Sequence, residues 1–295
     1  MNEHRVARYE QRFKKVLDYV DNHLDGDLSL TTLSEQAAFS KFHFLRQFAA
    51  LYGISVADYV QTMRLRRAAQ SLAYRSDQSI LTIALANGFD SAEAFSRAFK
   101  RLSGQTPTAF RRHPLWLTWH DKLQLIKDIH MSQVKPAIDF AQIKIIDFPA
   151  TRVAILQHRD RPERLPQSIQ RFIAWRKANK LPPTISATFN LVYDDPDVVV
   201  TDSFRFDLCA GIKQAVAPND AGVIDGEIPA GRCAVWRHIG RDDGMATAIH
   251  FLYRDWLPQS GETLRDFPLF FHRLKFYPDV PETEVITDIY LPLER

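Results

Sequence analysis

Arg46 and Arg97 hold matching places in two similar stretches, FLRQFAALYGISVADY from Phe44 and FSRAFKRLSGQTPTAF from Phe95, offset by 51 residues. A guanidinium near the start of an exposed helix can bond a guanine edge through two parallel N–H groups, or clamp a phosphate. The residues placed to act with these arginines are Ser40, Lys41, Phe42, His43, Leu45 and Gln47 in the first stretch. In the second they are Ser91, Ala92, Glu93, Ala94 and Lys100. Phe42 and Leu45 can touch a thymine methyl but cannot hydrogen-bond a base, whereas Glu93 can accept from cytosine or cap its own helix. The partner that suits this chemistry is double-stranded DNA. One such stretch alone would suit a solvated helix face as well; two in register weaken that reading.

Helices must position these groups. Phe13, Val16, Leu17, Val20 and Leu24 follow helical spacing between Arg8 and Leu24. Ser29 or a following threonine caps a short helix through Glu35 to Ala38, and Ser40 caps a helix from Lys41 to Tyr52 that stops at Gly53. A long helix spans about Val56 to Tyr74, after which the pattern restarts. A short helix runs from Ser79 to Ala86, a second is capped by Asp90 with Glu93 completing a capping box, and a last one opens at Thr106-Pro107. Short helix, tight turn and longer helix are helix-turn-helix grammar, in which the second helix enters the major groove. Phe44, Phe48, Phe95 and Phe99 are core.

Charge distribution agrees. Residues 1–113 carry 16 Lys/Arg against 11 Asp/Glu, while the rest carry 22 against 24. A polyanion would meet the front half. The N-terminus has no apolar signal segment, no stretch approaches a membrane span, and Cys209 and Cys233 have no CxxC spacing. The expectation is a cytoplasmic protein without membrane contact. No catalytic triad or metal-ligand spacing stands out, so catalytic residues, metals and cofactors are not expected.

Residues 8–112 resemble the DNA-binding domain of AraC/XylS-family transcription regulators, through LSEQAAFSKFHFLRQFAALYG and GFDSAEAFSRAFKRLSGQTPTAFRR. The resemblance implies two helix-turn-helix units joined by the long helix and entering successive major-groove segments. Members of that family of the Rob and MarA type carry tryptophan and glutamine where this chain has Phe42 and Leu45, and glutamines and threonine at Ala92, Glu93 and Ala94, so the sequence read is expected to differ from theirs.

The back half repeats too. FPATRVAILQHRDR from Phe148 and IPAGRCAVWRHIGR from Ile228 are offset by 80 and share Pro149/Pro229, Arg152/Arg232 and His158/His238. Each reads as a strand followed by an amphipathic helix (Leu165 to Asn179, Met245 to Leu257), and each copy closes on strand-like segments from Ser203 and Glu284. The expected fold is an all-α double helix-turn-helix domain over 8–113, a linker over 114–138, and an α+β domain over 139–295. That α+β domain would be two pseudo-symmetric strand-helix-strand-strand repeats. Between such halves a cleft is expected, with Tyr193, Phe206, Trp236, Trp256, Phe270, Phe271, Arg273 and Tyr290 as its candidates.

Residues 140–294 resemble the GyrI-like effector-binding domain of the Rob/BmrR type, most specifically at DWLPQSGETLRDFP and ETEVITDIYLPL. In that family a buried glutamate faces cationic lipophilic ligands; in PLFFHRL, Phe271 takes its place and Arg273 takes that of an aromatic residue. The expected function is a regulator, for example an activator, whose cleft senses a neutral or anionic aromatic or lipophilic effector. Two alternatives stand beside it. One is a DNA-bound scaffold whose back half contacts a protein such as RNA polymerase across a vestigial cleft. The other is a GyrI-like hydrolase, which the missing carboxylate argues against. Paired reading units allow either a monomer or a homodimer.

Overall fold

A computed structural model describes residues 3–75, 77–133, 140–196, 198–199 and 201–295. The chain forms two compact units, Met1–Lys135 with Pro281–Thr283, and Pro136–Val280 with Glu284–Arg295.

The first unit is helical: α1 (Glu3–Asn22), α2 (Leu30–Gln36), α3 (Lys41–Tyr52), α4 (Val56–Tyr74), α5 (Ile80–Ala86), α6 (Ala92–Ser103), α7 (Pro107–Arg112) and α8 (His120–Gln133). Hydroxyls start six of them. Ser29, Ser40, Ser55, Ser79, Ser91 and Thr106 each accept a backbone N–H of the first turn, satisfying a donor that would otherwise lack a partner. Matching left-handed glycines, Gly53 and Gly104, end α3 and α6. The cap of α6 is a correction to the sequence reading. Ser91 rather than Asp90 takes the Ala94 N–H, at 3.1 Å. With Ser91 at the cap, the third helical position is Ala94, so no capping box forms.

Two cores sit in this unit, and α4 builds both. Val56, Tyr59, Val60 and Met63 join Phe13, Phe44 and Phe48 in the first. One turn on, Leu65, Ala68, Ala69 and Leu72 join Phe95, Phe99 and Phe110 in the second. The stretch expected as linker is largely packed structure: Trp116 and Trp119 are buried in the second core, and Ile126 and Ile129 of α8 in the first. Tyr59 and His130 share a buried hydrogen bond of 2.7 Å. Aromatic rings in a polar-flanked stretch look like surface until the partner cores are known. Residues 134–138 of the expected linker, and the boundary at 139, lie outside the described residues.

The second unit is an eight-stranded antiparallel sheet with helices on one face. Its elements are β1 (Lys144–Phe148), β2 (Thr151–Arg159), α9 (Leu165–Ala178), β3 (Thr188–Val192), β4 (Arg205–Gly211), β5 (Ile224–Ile228), β6 (Gly231–Ile239), α10 (Met245–Phe251), α11 (Leu257–Ser260), β7 (Leu269–Lys275) and β8 (Ile286–Pro292). Strand order is β1-β6-β8-β7-β3-β4-β2-β5. The sequence reading lacked β1 and β5, each a short strand with only its last residue buried. Edge strands with both faces wet show no alternation to detect. The expected single helix from Met245 contains a π-turn over Leu252–Trp256, just before Pro258, which has no N–H for an α-helical bond back to Arg254.

Alternation sorts the sheet's side chains. Ala154, Leu156, Leu208 and Ala210 pack under Phe172 and Trp175 of α9. Ala234, Trp236, Leu269, Phe271, Ile289 and Leu291 pack under Ala248, Leu252 and Trp256. Val153, Ile155, Phe189, Leu191, Cys209, Phe270 and Tyr290 fill the opposite face with Phe148.

Candidate functional site

The first candidate site is the outer surface of α3 and α6. Phe44 and Phe48, like Phe95 and Phe99, are fully buried, and that fixes which side of each helix faces solvent. On α3, Lys41, Phe42, His43, Leu45 and Arg46 are exposed, Phe42 by 84%. Ser40 serves as the cap and accepts the His43 N–H. Gln47 is half-buried, and its Oε1 is enclosed without a hydrogen-bond partner among the described residues. On α6, Glu93, Arg97 and Lys100 are exposed, while Ser91, Ala92 and Ala94 are half-buried. The Glu93 carboxyl is held below its ordinary range by its own backbone N–H and by Ser91, so it stays charged at the helix start.

Two α4 arginines that the sequence reading did not single out hold these parts in place. Arg64 donates to the carbonyls of Leu24 and Gly26 at 2.8 and 3.0 Å. Arg67 donates to Asn87 Oδ1 at 2.9 Å and to the Ala86 carbonyl, fixing the end of α5. Arg66 lies between them in the sequence, RLRR, and that run was the available signal. From α6, Arg101 donates to Gln61 Oε1 on α4 at 2.9 Å.

The second candidate site is the helix-bearing face of the sheet. On that face α9 covers β2 and β4, α10 and the π-turn cover β6, β8 and the start of β7, and β3 lies between the two covered parts. Phe206, Trp236, Trp256 and Phe271 belong to one apolar group there, with Val192, Ile249 and Phe251 half-buried at its rim. The Arg273 guanidinium lies over the Phe271 ring, 5.2 Å from its centroid. It donates to Asp242 Oδ1 at 2.6 Å, Asn190 Oδ1 at 3.2 Å and Thr287 Oγ1 at 3.3 Å.

Three of the eight residues expected in the cleft lie elsewhere. Phe270 and Tyr290 stack on each other at 4.7 Å on the opposite face. Tyr193 shares the parity of Leu191 on that same face; its hydroxyl donates to the buried carboxylate of Asp207 at 3.1 Å, beside Arg159 and Arg205. The physical reason is the pleat: adjacent strand residues such as Phe270 and Phe271 cannot point the same way.

His158 and His238 are explained by local structure. His158 Nε2 donates to the Arg161 carbonyl at 3.1 Å and Nδ1 accepts from Ser168 at 2.9 Å; His238 Nε2 donates to the Arg241 carbonyl at 2.6 Å. Each pins the turn ahead of its helix, and burial lowers the pKa of both. No group of three or more His, Cys, Asp or Glu among the described residues could hold a metal ion. No helix among them is long and apolar enough to cross a membrane.

Both parts of the chain match families of known proteins. Residues 141–294 match the GyrI-like small molecule binding domain, and residues 33–113 match a helix-turn-helix domain. The probable transcriptional regulator YgiV of Escherichia coli (strain K12) is 41% identical over 152 residues, 51% of this chain and 95% of that protein. The uncharacterized HTH-type transcriptional regulator YbfP of Bacillus subtilis (strain 168) is 40% identical over 103 residues, 35% of each protein. Among solved structures, the EcmrR C-terminal domain is similar over 52% of this chain and 98% of its own, with 18% identity and a TM-score of 0.41.

Proposed function

The chain belongs to the GyrI-like small-molecule-binding family and carries an AraC-type helix-turn-helix domain ahead of it, and from this we propose a ligand-responsive transcription regulator whose two reading helices are α3 and α6. The observation that carries the reading is the duplicated, hydroxyl-capped pair of helices on a shared α4, each presenting an exposed arginine beside a buried pair of phenylalanines. Lys41, Phe42, His43, Leu45, Arg46, Glu93, Arg97 and Lys100 meet the DNA, and Ser40 and Ser91 set the helix starts. The DNA-binding domain extends beyond residue 113 to include α8. The effector domain is two pseudo-symmetric halves; exchanging β1–β4 with β5–β8 leaves the strand order unchanged, which supports a duplication.

The effector is a neutral or anionic aromatic or lipophilic compound, held by Phe206, Trp236, Trp256, Phe271 and Arg273. A phenyl ring at Phe271 supplies no counter-ion for a cation, and the only carboxylate hydrogen-bonded to Arg273 among the described residues, that of Asp242, is 58% exposed. Hydroxyl-radical footprinting of the full protein tests the DNA reading. Two protected patches on one face of the duplex, about one helical turn apart, are expected. Uniform protection, or none, would contradict it.

A further inference from the structure

Each helix-turn-helix half has its own core, and α4 passes from one to the other. Val56, Tyr59, Val60 and Met63 belong to the first, and Leu65, Ala68, Ala69 and Leu72 to the second. Between the halves lies an open cleft of about 420 Å³, lined by Leu28, Leu33, Leu45 and Val60 from the first and by Gly88 and Phe89 from the second. Two cores with a gap between them do not by themselves fix how α3 and α6 stand to each other. A helix as long as α4 can curve gently, so the setting falls to side chains that link the two halves.

Arg64 is such a link. It sits on α4 where the cores meet, between Met63 of the first and Leu65 of the second. Its Nε and Nη2 donate at 2.8 and 3.0 Å to the carbonyls of Leu24 and Gly26, in the loop between α1 and α2. It also packs against Gly88, in the turn between α5 and α6, where an added Cβ would lie 2.6 Å from Cζ and Nη2 of Arg64. One planar guanidinium therefore touches both halves. Charge follows the same plan: burial lowers the Arg64 pKa and Arg67 adds to this, while Asp25 from the first half and Asp90 from the second oppose it. A second link runs from Arg101 on α6 to Gln61 Oε1, on the first-core part of α4, at 2.9 Å. The 51-residue offset that relates the halves pairs Arg64 with Leu115, so the clamp belongs to the junction and not to the repeated element.

We propose that Arg64, supported by the Arg101–Gln61 bond, is a positioning residue that sets the separation and twist of α3 and α6, and so the spacing between the two DNA blocks this protein accepts. The proposal rests on the reading of α3 and α6 as the DNA-contacting helices and adds what holds them in register. One base pair inserted between the blocks turns one by about 35° and moves it by about 3.4 Å relative to the other. A clamped pair of helices cannot follow that displacement, whereas a pair joined through α4 without the clamp follows it more easily.

The test takes the duplex blocks enriched from a random pool by the full protein and changes the distance between them by one and two base pairs, with affinity read by fluorescence anisotropy. The wild type should lose about tenfold or more for each step, the order of a mismatched base pair. Arg64→Ala should shrink that loss at least about threefold, within the range for a residue that couples two sites, while base preference inside each block is kept. Arg64→Lys retains the charge but not the planar fork, and should relax the spacing in the same direction. Gln61→Ala removes the second link without changing charge and should relax it too; if Arg64→Ala does not fold, an unchanged spacing penalty in Gln61→Ala overturns the proposal. A penalty as steep in Arg64→Ala as in the wild type overturns the clamp alone. So does a uniform loss of affinity at every spacing that Arg64→Lys restores, which is the behaviour of a phosphate contact. Enrichment of fewer than two blocks overturns the two-helix reading of DNA on which the clamp depends.

Discussion

Arg46 and Arg97 stand exposed on helices whose other face is closed by buried phenylalanines, so truncating either should remove contacts without disturbing the core. Each Arg→Ala change should weaken binding to a preferred site by about 1–3 kcal/mol and relax discrimination at one base position, measured by fluorescence anisotropy on matched and mismatched duplexes. Equal losses on every sequence would mean phosphate contact only. A different residue-scale effect follows from His130, whose pKa burial, with a contribution from Arg66, pushes down to about 3 from 6.5. The folded unit binds fewer protons than the unfolded chain between these values. Its stability is therefore full above pH 6.5 and falls as pH drops toward 3, by up to about 1.4 kcal/mol per pH unit. Urea denaturation between pH 7 and 5 should show this slope, and His130→Gln should flatten it. At this scale the sequence was informative about α3 and α6, because helical spacing identifies exposed positions. It was less so for the cleft: Phe270 and Phe271 were both counted although a strand turns neighbours to opposite faces, a constraint available before any coordinates.

The two helix-turn-helix elements differ at their turns in a way that can be measured. Between α5 and α6 the left-handed position is Gly88, at φ 69°; between α2 and α3 it is Ala38, at φ 52°. A side chain there costs roughly 1 kcal/mol relative to glycine. Ala38→Gly should stabilise the helical unit by about that amount. Gly88→Ala should destabilise it by more, since its new Cβ would lie 2.6 Å from the Arg64 guanidinium that holds Leu24 and Gly26. Chemical denaturation followed by helical circular dichroism compares them, and a destabilised Ala38→Gly would contradict the assignment of strain. Helices were legible because serine caps, glycine stops and 3.6-residue spacing agree at each one. The edge strands β1 and β5 were not, since a strand wet on both faces has no hydrophobic period, and the Asp90 cap was misassigned because Asp90 and Ser91 are both able to cap. The burial of Trp116 and Trp119 needed the rings of Phe99 and Phe110 to be seen beside them.

At the scale of the molecule, a basic helical unit and a slightly acidic sheet unit divide the work between a polyanion and a small ligand. If the exposed Lys41, Arg46, Arg97 and Lys100 contact phosphates as proposed, DNA binding is strongly salt-dependent. Lys100→Ala should lower the slope of log affinity against log salt by about 1 without changing sequence preference. Family membership follows from stretches spread along both halves, which is why it could be seen in the sequence, whereas the face each strand residue takes depends on which strands become neighbours. The central claim is that this protein reads DNA through two units. Selection of bound duplexes from a random pool, with the wild type and an Arg46→Ala, Arg97→Ala double variant, tests it most directly. Two short enriched blocks about 10 bp apart, lost in the variant, are the predicted result; no enrichment, or the same motif from both proteins, would contradict it.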